Sequence, residues 1–373
     1  MRRALPACIV QAGRSRPVKR IGSKSWHRGI FGPAVLFLAG CASHPLVRPL
    51  PQPAVRSVPV HVDPSTGERS AVITLLTYNV AGLPWPRRTG TRQAMRRIER
   101  AWPAEFADGS PDLLLLQEAF VPSATRLPLR VGYANLVRGP RRSDRADPPP
   151  EPPSREFRKG RAFGKGERLG KLTGSGLALA TDLEIAAHSN LPFGRSSCAG
   201  YDCLANKGAM LVEIAVPGMP EPLFVINTHL NSRSASGVSH ERSFYAYRRQ
   251  LREIEQWLDR VWRGRGPLIW VGDFNAGFDR ERFDEKEERL PGELAHRRCV
   301  ERPERCRVLM SWDSDEPWLD TQDLQGFLSG NRVRVEPIAI AARFDSPFEG
   351  RMLSDHDGLE VTWRLSWMPD SSP

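Results

Sequence analysis

Asp112-Leu113-Leu114-Leu115-Leu116-Gln117-Glu118 runs four leucines directly into an amide and an acid. The apolar run reads as a short strand, and an acid at the rim of a desolvated strand is costly unless it has company at a shared site. The arrangement recurs along the chain. Asn79 closes Leu76-Thr77-Tyr78-Asn79, and His229 ends Val225-Ile226-Asn227-Thr228-His229. Asp273 and Asn275 end Trp270-Val271-Gly272-Asp273-Phe274-Asn275, and Asp355 and His356 stand in Leu353-Ser354-Asp355-His356-Asp357-Gly358. Alone, His229 or Asp273 reads as an ordinary satisfied polar group; as an ordered set these residues read as an active site.

Outward from these motifs, further apolar runs at 72–80, 176–180, 209–214, 223–228, 268–272, 333–341 and 359–363 are strand candidates, several bounded by Gly, Pro or Asn. Segments 92–106 and 240–263 carry helical periodicity, the second with Phe244, Tyr247, Leu251, Ile254 and Leu258 three and four apart. Strands interleaved with a few helices predict one large α/β or α+β sandwich without internal repeats. The 373 residues, 40% of them apolar, are enough for such a core and exclude a disordered or collagen-like chain.

The formal charge of +11 invites a nucleic-acid reading, but residues 1–40 hold eight Lys/Arg and no acid, leaving 46 cations against 43 acids elsewhere. That balance belongs largely to a targeting segment. Its apolar stretch, 30–39, is well short of the roughly 20 residues of a bilayer span. It ends in Leu38-Ala39-Gly40-Cys41, which is similar to a bacterial lipobox. The expectation is a signal peptide over 1–40, a lipid on Cys41, a Pro/Val-rich tether over 41–70, one domain over 71–367 and a tail over 368–373. A buried apolar strand is the competing reading of 30–39. By resemblance to the lipoproteins of diderm bacteria, Ala42 and Ser43 point to export and to the outer membrane, facing the periplasm or the cell surface.

Cys198/Cys203 and Cys299/Cys306 are sequence-local pairs, which in an exported chain read as two disulfides, a zinc site being the weaker alternative. Residues 138–171 stand apart, with eleven Lys/Arg, five Asp/Glu and the run Pro148-Pro149-Pro150. The plain reading is a solvated, mobile insertion; the functional one is a cationic arm for anionic lipid headgroups or a nucleic-acid backbone.

The ordered motifs around Asn79, Glu118, His229, Asp273 and Asp355-His356 resemble the endonuclease/exonuclease/phosphatase superfamily, the fold of deoxyribonuclease I and the bacterial neutral sphingomyelinases, over residues 71–365. The resemblance implies a four-layer sandwich, two packed and mostly antiparallel sheets flanked by helices, with the site at one edge. It implies hydrolysis of a phosphodiester, where a dication offsets the repulsion between anionic ester and anionic nucleophile, and hard oxygen ligands select Mg2+ or Mn2+. Glu118 is then the principal metal ligand, with Asn79 beside it on metal or phosphate. His356 is the general base on the attacking water. Asp273 orients that water or stabilises the imidazolium, and Asn275 donates to the phosphate. His229 stabilises the equatorial oxygens or helps the leaving group, and Asp355 supports the metal or the hydrogen-bond network. The acid that aligns the catalytic His is expected at Asp323, in a segment that lacks the family's Tyr; Asp320 is its rival.

Asn206-Lys207-Gly208 and Asn79-Val80-Ala81-Gly82-Leu83-Pro84 resemble the sphingomyelinase-like members. Lys207 there would complement a phosphate, or be an ordinary solvated cation at a strand edge. Residues 342–353, in contrast, are too short for the aromatic membrane-inserting hairpin of the secreted sphingomyelinases. The expected protein is a monomeric, metal-dependent phosphoesterase that cleaves a phospholipid headgroup with a His-activated water, held at a membrane by its N-terminal lipid. The alternatives are an envelope nuclease or phosphomonoesterase on the same site, and a non-catalytic surface lipoprotein.

Overall fold

The computed structural model describes residues 56–147 and 151–369. The expected signal peptide, Cys41 and half of the tether lie outside the described residues, as do Pro148-Pro149-Pro150 and the end of the tail. Among the described residues no helix is long and apolar enough to cross a membrane.

The chain runs through β1 (Val60–Val62), β2 (Arg69–Asn79), α1 (Thr91–Glu105), β3 (Leu113–Gln117), α2 (Pro122–Thr125), α3 (Leu127–Arg130), β4 (Asn135–Arg138) and α4 (Arg155–Lys159). It continues with β5 (Ala178–Thr181), β6 (Glu184–Pro192), β7 (Gly208–Ala215), β8 (Leu223–His229), α5 (His240–Val261), β9 (Leu268–Asp273) and α6 (Arg280–Arg289). The last elements are β10 (Glu293–Leu294), α7 (Ala295–Glu301), β11 (Arg307–Leu309), β12 (Asp323–Leu328), β13 (Val333–Arg343) and β14 (Gly358–Trp367). One sheet has the order β11-β13-β14-β2-β3-β5-β4, with β1 added beside β2; the other has the order β10-β12-β9-β8-β7-β6. Most neighbours are antiparallel, whereas β2/β3, β8/β9 and β11/β13 are parallel.

Strand parity builds the layers, because successive side chains point to opposite faces. On β2, Ile73 and Leu75 join the core between the sheets, while Leu76 and Tyr78 pack with Met95, Ile98 and Trp102 of α1. In the second sheet Met210, Val212, Val225, Ile269 and Val271 point inward; Leu211, Phe224, Ile226, Leu268 and Trp270 point outward onto Tyr247, Leu251, Ile254 and Leu258 of α5. The order is helix, sheet, sheet, helix. Each such side chain gains about 1.5–3 kcal/mol by leaving water, so these three apolar layers hold the sandwich. Ser239 starts α5 by accepting the Arg242 N–H on its hydroxyl.

Two expectations change. Residues 58–70 belong to the sandwich and not to a tether, since Val58 is buried in the inter-sheet core and β1 pairs with β2. The 138–171 insertion is docked, not free. Glu167 accepts Nε and Nη2 of Arg242 at 2.7 and 2.6 Å, and the N–H groups of Ala162 and Gly200 at 2.8 Å each. Phe157 stacks on Tyr245 at 4.4 Å between ring centroids. A bidentate ion pair with both oxygens fully bonded fixes a segment that its like charges would otherwise repel. Cys198–Cys203 and Cys299–Cys306 are disulfides, which removes the zinc alternative.

Candidate active site

Inward parity continues past the apolar core into polar residues. Beyond Leu75 come Thr77 and Asn79, beyond Leu115 comes Gln117, beyond Val225 come Asn227 and His229, and beyond Val271 comes Asp273; β12, running the other way, begins with Asp323 and Gln325. A first layer ties the sheets together. Gln117 Nε2 donates to Thr77 Oγ1 (3.0 Å) and Asn227 Oδ1 (2.7 Å), and Asn227 Nδ2 to the Leu116 and Ala178 carbonyls (3.1 Å each). Gln325 Nε2 donates to the Leu75 and Leu359 carbonyls (3.0 and 2.9 Å). The amide nitrogens are all bonded, which makes their burial tolerable, since stranding a buried polar group costs about 1–3 kcal/mol; Gln117 Oε1 is the exception, with no partner among the described residues.

Asp273 is the hub of the next layer. Its Oδ2 accepts Asn79 Nδ2 at 2.9 Å and lies 3.3 Å from His229 Nε2 and 4.0 Å from His356 Nε2; its Oδ1 accepts the Asn275 N–H at 3.0 Å. Burial, then the neighbouring Asp323 carboxylate, pushes its carboxyl up to about 6. His356 Nδ1 is 2.5 Å from Asp323 Oδ2. Burial works to lower the His356 imidazole, but Asp323 and then Asp273 and Asp355 outweigh it and raise it to about 10. With Nδ1 committed to Asp323, Nε2 is the nitrogen left for chemistry. The rival Asp320 accepts from Ser314 Oγ instead, so the acid paired with His356 is Asp323.

Glu118, just past β3, has φ of 54°, an uncommon left-handed backbone for a side-chain-bearing residue. A Cβ on Gly82 would stand 2.5 Å from the Glu118 carbonyl, so only glycine lets that loop close over it. Burial pushes the Glu118 carboxyl up to about 7, and Asp273 and Asp355 add to the rise against Lys207 and His356. Asp273, Asp323 and His356 hold ligand atoms within 4.8 Å of one another, but two of the three are already hydrogen-bonded as a pair. The Glu118 carboxylate is half-buried and receives no hydrogen-bond donor among the described residues, so its charge is available to a cation. With the Asn79 amide oxygen near the same strand ends, it makes a hard oxygen donor set that fits Mg2+ or Mn2+.

Lys207 is neither a solvated cation nor free for a phosphate. It is buried, and its three protons go to the Leu230 carbonyl (2.8 Å), Asp202 Oδ1 (2.9 Å) and His229 Nε2 (3.0 Å). An ammonium only donates, so Nε2 accepts and His229 is neutral. Burial and then the Lys207 and His356 cations push that imidazole well below its ordinary value in the same sense. Asn275 Nδ2 donates to the Leu230 carbonyl at 3.2 Å. Asp355 is exposed, and the neighbouring Ser354 hydroxyl donates to the Asn79 carbonyl at 2.7 Å. Gln117, Asn227, Gln325, Asp202 and Ser354 are supporting residues that the motif reading passed over. An amide inside an apolar run was the available signal for the first two.

No curated protein sequence matches the chain. Among solved structures, beta toxin from Staphylococcus aureus with bound magnesium ions is similar at 17% identity and a TM-score of 0.52, covering 78% of this chain and 98% of that one. Sphingomyelinase C from Streptomyces griseocarneus is similar at 20% identity and a TM-score of 0.50, over 78% and 99%. D. rerio TDP2 complexed with a single-strand DNA product is similar at 17% and 0.50, over 78% and 98%. These likenesses establish the fold. A sequence profile described as the Endonuclease/Exonuclease/phosphatase family matches residues 76–327, more than half of the chain. That segment opens inside β2 and closes inside β12, taking in Asn79, Glu118, His229, Asp273, Asn275 and Asp323 in order, and so the chain belongs to the endonuclease/exonuclease/phosphatase family.

Proposed function

We propose that the chain is a Mg2+- or Mn2+-dependent phosphodiesterase whose substrate is the headgroup ester of a phospholipid. The observation that carries this reading is the half-buried Glu118 carboxylate, with no hydrogen-bond donor among the described residues, facing the same site as the Asp323–His356 pair. Glu118 and Asn79 would hold the dication, which when bound offsets the charge of the phosphate and polarises a phosphoryl oxygen. His356 Nε2 takes the proton of the attacking water from its neutral form, which the charge of a dication at Glu118 would favour against the pull of Asp323, Asp273 and Asp355, while Asp323 keeps the ring oriented and stabilises its charged form. Asp273 holds Asn79 and Asn275 in register around that water. The second amide proton of Asn275 is left for a phosphoryl oxygen. Asp202 and Lys207 brace His229 as a neutral imidazole. Export, a lipid on Cys41, an outer-membrane location and a monomeric state belong to the same proposal, and an N-terminal lipid would keep the enzyme at its substrate.

The lipid is favoured over other esters by the Asn206-Lys207-Gly208 segment, which packs into the site, and by the fold shared with sphingomyelinase C. A nuclease is the second reading, supported by the cationic insertion and by the fold shared with TDP2. The purified chain, given Mg2+ or Mn2+, is to be assayed on sphingomyelin vesicles, plasmid DNA and a phosphomonoester, with EDTA and His356→Ala as controls. Lipid cleavage lost in both controls supports the proposal. DNA nicking alone transfers it to a nuclease, and inactivity on all three substrates favours the non-catalytic lipoprotein.

A further inference from the structure

The docked insertion carries an exposed apolar ridge that the chemistry of the site does not use. Phe163, Leu169 and Leu172 leave 66%, 58% and 57% of their surface in water within ten residues, and Tyr201 (44%) and Phe278 (66%) extend the ridge. Large apolar residues normally appear singly on a soluble surface. A cation–ring contact and a run of hydrogen bonds connect Lys165, Tyr201 and the Phe278 backbone. Lys165 Nζ lies 5.3 Å over the Tyr201 ring, and the Tyr201 N–H donates to the Ser236 carbonyl at 2.9 Å. Ser236 Oγ donates to the Arg233 carbonyl at 3.1 Å, and Arg233 Nη1 to the Phe278 carbonyl at 2.9 Å.

The ridge borders the site. The Leu172 N–H donates to the Leu204 carbonyl at 2.6 Å and Thr173 bridges to Ala205, two residues before Lys207. Phe278 follows Asn275 by three residues at the other end. Arg161, Lys165 and Arg168 alternate with the apolar residues, Lys171 Nζ being spent on the Ala205 carbonyl at 2.9 Å, and the one acid among them, Glu167, is committed to Arg242. Because that ion pair fixes the loop, little ordering is needed when it meets a partner.

Cations interleaved with apolar side chains on a fixed surface match the boundary of an anionic bilayer. A polynucleotide would also meet the cations, but bases stack on aromatic faces, and Leu169 and Leu172 have none. At an acyl-chain boundary both leucines leave water. We infer that residues 161–172, with Tyr201 and Phe278, form a membrane-docking platform that sets the catalytic edge against a bilayer containing anionic lipid. The inference rests on the phospholipid reading and deepens it.

The test uses the chain from Ala42 onward, so that neither the basic leader nor an attached lipid contributes, with His356→Ala, so that nothing is hydrolysed. Co-sedimentation is measured with phosphatidylcholine vesicles with and without phosphatidylglycerol. Binding is expected to rise with phosphatidylglycerol and weaken with salt. It should fall about tenfold in Leu169→Gln/Leu172→Gln and about fivefold for each of Lys165→Gln and Arg168→Gln. With His356 restored, the leucine variant should lose cleavage of vesicle lipid and keep cleavage of detergent-dispersed lipid and of bis(p-nitrophenyl) phosphate. Vesicle binding unchanged in all variants overturns the platform, even if dispersed lipid is cleaved. Vesicle binding that depends on the ridge, with no lipid cleaved in any form, supports the platform and sinks the phospholipid reading. Loss of binding to a duplex oligonucleotide in the leucine variant, with vesicle binding intact, assigns the surface to nucleic acid and overturns the proposal.

Discussion

Gln117 Nε2 donates a 2.7 Å hydrogen bond to Asn227 Oδ1, tying the two sheets directly beneath the candidate site. Asn227→Ala strands the Leu116 and Ala178 carbonyls and removes one of the two acceptors of Gln117. The expected loss is about 2–4 kcal/mol in urea denaturation, and Gln117→Leu/Asn227→Leu should recover part of it, because removing both partners leaves fewer stranded groups. A loss below about 0.5 kcal/mol would show that the tie contributes little.

Glu118 has a carboxyl raised to about 7 in the folded chain, above its ordinary 4.5. Its contribution to stability is therefore fully present below about 4.5 and is lost as pH rises through about 7 in metal-free protein. Glu118→Gln removes that titration, and at pH above 7 the metal-free variant should be more stable than the parent by on the order of 2 kcal/mol, partial exposure allowed for. The parent should gain thermal stability with Mg2+ or Mn2+ and the variant should not. A variant that keeps the metal-induced gain in Tm would falsify the assignment of Glu118 as a ligand.

His356 is raised to about 10 from an ordinary 6.5, so its pairing stabilises the fold fully below about 6.5 and less and less as pH climbs through about 10. Asp323→Asn removes the main cause. Its stability should change less than the parent's between those pH values, and the His356 imidazole, followed by NMR, should titrate closer to 6.5. Hydrolysis should drop by about a hundredfold or more, as for a misaligned general base. An unmoved His356 titration means that the pair is not formed in solution.

Lys207→Met takes a donor and a cation from His229. The imidazole, now held down chiefly by burial, should titrate at higher pH than in the parent, and activity should fall by about tenfold to a hundredfold. Lys207→Arg should not restore full activity, because a planar guanidinium cannot direct donors at Leu230, Asp202 and His229 in the same way. If the His229 titration is the same in both variants and in the parent, the Lys207 contact does not set its state.

The apolar runs at 72–80, 209–214, 223–228, 268–272 and 333–341 became β2, β7, β8, β9 and β13, because continuous burial leaves a pattern that composition cannot hide. β12 escaped that reading. Gln325 and Gly326 interrupt its apolar residues, and both are demanded by tertiary contacts: Gln325 bonds two carbonyls of the facing sheet, and a Cβ on Gly326 would stand 2.0 Å from the Trp270 ring. Arg282 on α6 is likewise misjudged by surface rules. It is fully buried, with Nη1 donating to the Asn231 and Asn275 carbonyls at 2.6 and 3.2 Å, where it props the two loops that follow β8 and β9.

Reading along the chain was enough to show which residues close the strands, that they face inward together and that their chemistry suits a phosphoester. The reason is that side-chain periodicity is local, and a period of two along a strand assigns a face without knowledge of its neighbours. Which of these groups meet is set by the fold. Asp323 stands opposite Asp273 in β12/β9 and His229 beside Asp273 in β8/β9, so sheet order and register bring groups far apart in the chain to one point. The same long-range packing chose Asp323 over Asp320 for His356, turned Lys207 from a surface cation into the brace of a neutral His229, and docked the basic insertion through Glu167 and Arg242. None of these pairings is a property of any one segment, because each exists only once two sheets share a core.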